Sequence, residues 1–123
     1  MVEFNNRTDY ELPIDRFAEL ARKAAPEKEE LSVAFLPADE IADLNSRYRK
    51  KKDPTDVLSF KAGPGLGEVL ICPQVVKEEF GDDFLNRMDR VLVHGILHLL
   101  GYDHQNDEQE ARMKKKEDEI LSG

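Results

Sequence analysis

The segment HGILHLLGYDH, residues 94–104, holds all three histidines of a 123-residue chain. His94 and His98 are four residues apart, and His104 follows six further on. On a helix, positions i and i+4 lie about 40° apart around the axis, one turn above the other. The first two imidazoles therefore share a face and can reach one ion. Gly101 can take a positive φ, end the helix and turn the chain back, which brings His104 toward the same point from outside the helix. Three neutral protein ligands with a fourth position open make a catalytic rather than a structural metal site. Zinc is the first expectation, although nickel, copper and cobalt suit the same donors. The competing reading is three unrelated histidines on and after a partly buried helix. The whole histidine content at ligand spacing around a helix-ending glycine favours the metal.

The spacing H-x3-H-x5-H, with glycine seven after the first histidine, matches the ligand frame of the metzincin zinc proteases. Such a protease uses a glutamate directly after its first histidine as general base. That position is Gly95 here, so a metallopeptidase-like hydrolase stands only as an alternative that lacks its base.

The elements that must position these residues are legible as periodic patterns. VEFNN near the N-terminus alternates like a short strand. LPIDRFAELARKAAPE puts Ile14, Phe17, Ala18 and Ala21 on one helical face, with Pro26 helping to end it. LSVAFL (31–36) reads as a strand, and Pro37 opens a helix through PADEIADLNSRYR with Ile41, Leu44 and Tyr48 on one side. DVLSFKA and EVLIC are strands joined by the glycine-rich turn GPGLG, hence a hairpin. A short helix through QVVKEEF ends at Gly81. DDFLNRMDRVLVHGILHLL repeats apolar residues at helical spacing and predicts a central buried helix carrying the histidines, with Asp82 or Asp83 as its cap. A last helix starts near NDEQEARM, with Asp107 and Glu110 at capping-box separation. The expectation is a single α+β domain over residues 1–123, with an about four-stranded mixed sheet, four or five helices, and a zincin-like central metal helix.

Composition limits the partners. The chain is 40% hydrophobic and 36% charged, with 18 basic and 26 acidic residues and a net charge of −8. So acidic a chain is a poor general binder of polyanions, and any nucleic-acid role must use a local basic patch. RYRKKK (47–52) has five basic residues in six, with Tyr48 among them. Arg47, Arg49, Lys50, Lys51 and Lys52 are thus the candidate phosphate contacts, with an aromatic beside them to stack on a base. The bland reading is a solvated helix end, where basic residues are common anyway. A second run, RMKKK (112–116), reads as a solvated face. The first residues carry no basic leader and no apolar run, so no secretory signal is expected. No stretch suits a membrane span, and the lone Cys72 reads as a buried small hydrophobe. A cytoplasmic protein with no membrane and no DNA partner is expected.

Four blocks then agree with one family. HGILHLLGYDH resembles the H-G-x-L-H-L-x-G-Y-D-H signature of the YbeY family, the bacterial rRNA-maturation endoribonucleases. LNSRYRKKKDPTDVLSF (44–60) is similar to that family's L-N-x-x-Y-R…P-T-D-V-L-S-F, and GLGEVLIC (65–72) to its L-G-D-I-x-I. ARMKKKEDEIL (111–121) fits its closing helix with Met and Glu. Glu68 stands where aspartate is usual, and the chain is short for the family, with the shortfall expected at the N-terminus. The resemblance implies a single-strand-specific endoribonuclease acting in 3′-end maturation of small-subunit rRNA and in ribosome quality control. It implies one Zn²⁺ per chain held by His94, His98 and His104, with Arg49 and His94 as catalytic residues. It implies single-stranded RNA, rRNA, the ribosomal small subunit and its associated proteins as partners; a ribosome-associated binding module with a structural metal is the non-enzymatic alternative. Two carboxylates are candidates for acid–base or supporting roles. Asp103 could orient a ligand imidazole or cap its turn, and Glu68 could act if its strand faces the metal.

Overall fold

The computed structural model describes residues 1–49 and 55–122, with Arg49 described by its backbone alone. The element order is β1 (Val2–Asn6), α1 (Ile14–Ala24), β2 (Glu30–Phe35), α2 (Ala38–Arg49), β3 (Val57–Gly63), β4 (Leu66–Ile71), α3 (Pro73–Phe80), a 3-10 turn (Gly81–Asp83), α4 (Phe84–Leu99) and α5 (Asp107–Ser122). The four strands form one mixed sheet in the order β1-β2-β4-β3. β1 and β2 run parallel, as do β2 and β4, while β3 pairs antiparallel with β4. This is the expected α+β domain, hairpin included.

Alternation along the strands separates two apolar layers. On one face Leu31, Val33, Phe35, Val69 and Ile71 meet Phe17, Leu20 and Ala21 of α1 and Met88, Leu92 and Ile96 of α4. The rings of Phe17 and Phe35 stand 5.5 Å apart across this layer. On the other face Leu36, Ile41, Leu58 and Cys72 form a smaller cluster under α2. Ile41 is fully buried there, Leu44 only partly, and Tyr48 is 65% exposed against the Phe60 ring of β3.

The histidine helix sits unusually close to the sheet. A Cβ on Gly95 would stand 2.9 Å from Val69 Cγ1, 3.1 Å from Ser59 Oγ and 3.1 Å from Val57 Cγ2. A Cβ on Gly67 of β4 would stand 2.7 Å from Leu99 Cδ1. Ser59 fastens the approach, its hydroxyl donating to the Gly95 carbonyl at 3.0 Å. That carbonyl lies in the fourth turn of a helix whose residues Val91, Leu92, Val93, Gly95, Ile96, Leu97 and Leu99 are all buried, so α4 is the central element.

Two caps differ from the sequence expectation. Asp83 takes the N-cap position of α4 but its side chain makes no capping hydrogen bond, because residues 81–83 form a 3-10 turn that runs straight into the helix. The Asp83 carboxylate instead accepts from Asn86 at 3.0 Å and pairs with Arg87. The cap of α5 is Asn106 rather than Asp107: its Oδ1 accepts the Gln109 N–H at 2.9 Å, and Gln109 reaches back to the Gln105 N–H at 3.2 Å. The amide pair does what was expected of the acid pair, one residue earlier.

Filling the space at Gly95 should unseat α4. Overpacking costs about 1–3 kcal/mol and the gain in helix propensity returns at most about 1 kcal/mol, so Gly95→Ala should lower stability by roughly 1–2 kcal/mol. Gly63, which has nothing within 4 Å of its Cβ position, is the control. Urea unfolding should show a lower midpoint at unchanged m-value for Gly95→Ala and little change for Gly63→Ala; equal midpoints would mean the helix stands off the sheet.

Candidate metal centre

α4 ends in a closed turn. Gly101 has φ of 102°, its N–H donates to the His98 carbonyl at 3.2 Å, and the Tyr102 N–H reaches the Leu97 carbonyl at 3.1 Å. This Schellman pair stops the helix and reverses the chain. His104 comes back over the helix as the spacing predicts: its ring centroid is 5.5 Å from that of His94 and 6.1 Å from that of His98. With metal–nitrogen bonds of 2.0–2.1 Å, imidazole centroids around one tetrahedral ion stand roughly 5 Å apart. The rings are therefore within a small adjustment of a shared ion, and three imidazoles are a suitable donor set. Among the described residues, no three His, Cys, Asp or Glu side chains are already converged as a ligand group. Ring spacing and donor convergence thus differ, and the spacing is the weightier because rotation about χ1 and χ2 moves the nitrogens without moving the backbone.

One ring is held. The Nδ1 of His94 lies 2.8 Å from Oε2 of Glu117, on α5. The other oxygen, Oε1, accepts from Arg90 Nη1 at 3.0 Å, and Arg90 Nη2 donates to Asp118 at 2.8 Å. The Glu117 side chain is only 8% exposed. The hydrogen bond to Asp118, then that to Glu117, raises the Arg90 pKa against the opposing effect of burial, so this cation stays charged.

His94 and His104 open onto a cleft of about 870 Å³ between α4, α5 and α1, lined also by Arg87, Arg90, Lys114 and Glu117. Its far wall carries Asp89, a buried carboxylate paired with Arg16 of α1. Burial raises the Asp89 pKa, and Arg16 only partly opposes this. Arg16, Arg87 and Arg90, from α1 and α4, were not singled out in the sequence, and Lys114 of α5 belongs to the run RMKKK that was read as a solvated face.

The other candidates are placed elsewhere. The Asp103 carboxylate accepts the His104 backbone N–H at 2.8 Å, so it caps the turn and holds no imidazole. Glu68 alternates with Gly67 and Val69, the residues that face α4. Its register with Phe60 puts it on the α2 side of the sheet, so its strand does not turn this side chain to the histidines. Arg47 is exposed and pairs with Asp43 one turn back on its own helix at 3.2 Å. Arg49 closes α2; its side chain, with Lys50, Lys51 and Lys52, lies outside the described residues. The residue that sequence reading missed is Glu117. The available signal was an acid in register with Met113 and Ile120, the buried stripe of α5.

The family model described as Endoribonuclease YbeY matches residues 3–123. A protein of Nautilia profundicola named Endoribonuclease YbeY is 41% identical, covering 95% of this chain and 88% of its own. Those of Staphylococcus saprophyticus and Legionella pneumophila are 34% and 36% identical, each covering 98% of this chain and 94% and 87% of their own. The solution structure of TM1509 from Thermotoga maritima superposes with a TM-score of 0.69 at 28% identity, over 99% of this chain and 87% of that one.

The buried carboxylate yields a pH test. With its folded pKa above the ordinary 3.8, Asp89 binds its proton more tightly in the folded state. Its contribution to stability is therefore fully present below the unfolded pKa and lost as pH rises through the folded one. Asp89→Asn should abolish that dependence: the variant gains on the parent as pH rises above 3.8, and the two converge in acid. Parallel stability profiles for the two proteins would contradict it.

A matching family model over nearly the whole length, close relatives, and the histidine turn with its ring spacing together show that this chain belongs to the YbeY family.

Proposed function

We propose that this chain is a zinc-dependent endoribonuclease that cuts single-stranded RNA in the cytoplasm, acting in 3′-end maturation of small-subunit rRNA and in ribosome quality control. The observation that carries the reading is the set of three imidazoles gathered by α4 and the Gly101 turn beside an open cleft. The names of the relatives supply the substrate class.

His94, His98 and His104 would hold one Zn²⁺. The ion supplies Lewis acidity, polarising a phosphate or activating water. The chain's own residues do the rest. Arg49 offers a planar fork of donors to the phosphate and stabilises negative charge that develops in the transition state. Lys50, Lys51 and Lys52 follow it as phosphate contacts, and the exposed Tyr48 offers a base a stacking face. β3 is the edge strand of the sheet, with Tyr48 packed against its Phe60 on one side and Gly95 against its Ser59 on the other. The end of α2 and the histidine helix thus flank the same strand. Along the cleft Lys114 adds a cation, while Arg87 is paired with Asp83 and Arg90 with Glu117 and Asp118. Unpaired RNA can bend into such a site, whereas a duplex is stiff and meets the acidic remainder of the surface. Docking on the ribosomal small subunit and its proteins would raise the local substrate concentration.

Against the peptidase alternative, the position of the general base is Gly95, whose backbone packs against Val57, Ser59 and Val69. A glutamate there would begin with a Cβ 2.9 Å from a β-branched side chain of the sheet. The binding-module alternative is separated by activity.

Metal analysis should find one zinc per wild-type chain and a loss of stoichiometric zinc in His94→Ala, His98→Ala and His104→Ala; full retention by all three would overturn the site. On single-stranded RNA, Arg49→Ala should slow cleavage by roughly 10²–10³ while retaining zinc. Cleavage unchanged in both Arg49→Ala and His94→Ala would identify a contaminating nuclease.

RNA affinity should fall with salt along a shallow slope, because few phosphates are neutralised. Changing Lys50, Lys51 and Lys52 together to Ala should flatten that slope by up to about 2, at ~0.7 per phosphate contact on single strands. The same affinity and slope in the triple variant would make the basic stretch a solvated helix end.

A further inference from the structure

We propose that Glu117 is the positioning residue of the histidine site: anchored by Arg90, its carboxylate accepts the Nδ1–H of His94 and thereby fixes the tautomer in which Nε2 carries the free lone pair. The inference rests on the metal reading above only in what that lone pair is for.

The geometry is specific. Oε2 of Glu117 lies 2.8 Å from His94 Nδ1 and Oε1 lies 3.0 Å from Arg90 Nη1, so each oxygen has its own partner. Arg90 is one helical turn before His94, so a single face of α4 carries both the ring and the anchor of the group that holds it. The second nitrogen of Arg90 is itself tied to Asp118 at 2.8 Å, which fixes the guanidinium and through it the carboxylate. Burying a carboxylate is strongly unfavourable unless it is paired and hydrogen-bonded. Glu117 meets both conditions, on a stripe of α5 otherwise made by Met113 and Ile120.

The proton assignment follows from chemistry. An ionised carboxylate only accepts. The shared proton therefore belongs to Nδ1 of the neutral ring, and its Nε2 is left as a donor of electrons. A histidine that ligates a metal is commonly held at its other nitrogen in this way, and loss of the partner weakens metal binding. His98 and His104 have no comparable carboxylate among the hydrogen bonds of the described residues. Glu117 therefore makes His94 the preset ligand, the one whose ring is oriented before the others close.

The test compares the full chain with Glu117→Gln. An amide keeps the size of the side chain, but its NH₂ can donate to Nδ1 and favour the opposite tautomer. Glu119→Gln, which removes the same charge from an exposed position of α5, is the matched control. The first readout is the ¹⁵N shifts of the His94 ring in metal-free protein above the imidazole titration range. Wild type should show Nδ1–H, and Glu117→Gln a shift of population to Nε2–H. The second is zinc affinity by competition with a chromophoric chelator, expected to fall about 10–100-fold in Glu117→Gln and to stay near wild type in Glu119→Gln. Wild-type His94 carrying its proton on Nε2 overturns the proposal, and this result needs no variant to fold. Unchanged affinity in Glu117→Gln, or an equal loss in Glu119→Gln, overturns it too. Failure of the wild-type chain to bind zinc overturns the metal reading instead, and the tautomer measurement still decides the role of Glu117.

Discussion

The close seat of α4 on the β3–β4 hairpin is the constraint on which the rest of the site depends. With no side chain at Gly95, the helix backbone lies against Val57, Ser59 and Val69, and the Ser59 hydroxyl fastens it there. The depth of that seat sets the height of the helix above the sheet. It leaves His94 half-buried at the cleft and His98 exposed, and it lets the Gly101 turn bring His104 back over both. Interiors packed to crystal-like density do not absorb an added methyl without movement. The residue that follows the first histidine is thus committed to packing. In the protease frame the same position carries the base; here a related ligand spacing is built on a different contact.

A second layer of control comes from the far end of the chain. α5 packs on α4 and delivers Glu117 to His94. Arg90, Glu117 and Asp118 form a chain of charge-assisted hydrogen bonds, with Glu117 the buried member. Such bonds are stronger where water is excluded, and each member limits the freedom of the next. On the other side of the cleft, Arg16 reaches from α1 to the buried Asp89 of α4. Three helices are therefore joined around the cleft by ion pairs and not by apolar contact alone. Those pairs also explain how an acidic protein can line a cleft with arginines without a large positive field: Arg16 and Arg90 are neutralised by their neighbours.

What the sequence by itself determined is what short-range periodicity and local backbone chemistry can carry. Alternation marked β1, short strand-like runs marked β2, β3 and β4, and a glycine-rich turn marked the hairpin; helical spacing marked α1, α2 and α4, terminal signals marked α3 and α5, and Gly101 marked the end of the histidine helix. The approach of His94, His98 and His104 followed from helix geometry plus one glycine of positive φ. The caps were the weakest part even at this level. Asp, Asn and Ser satisfy the same donors, so composition did not tell Asn106 from Asp107.

What only the tertiary structure decided are contacts between elements distant in the chain. Glu117 is 23 residues from the histidine it holds, and no local period links them. Only the docking of α5 on α4 makes them neighbours. The face on which Glu68 lies was open for a related reason: alternation says that neighbours face opposite ways, but not which way the helix lies. Asp103 had two readings because a carboxylate beside a turn can serve its own backbone or a ring across space; the backbone N–H of His104 was nearer. Gly95 looked like a missing base. It became a packing residue once Val69 and Ser59 were seen to occupy the volume a side chain would need, because a sequence names residues but leaves unstated the space that other elements will fill.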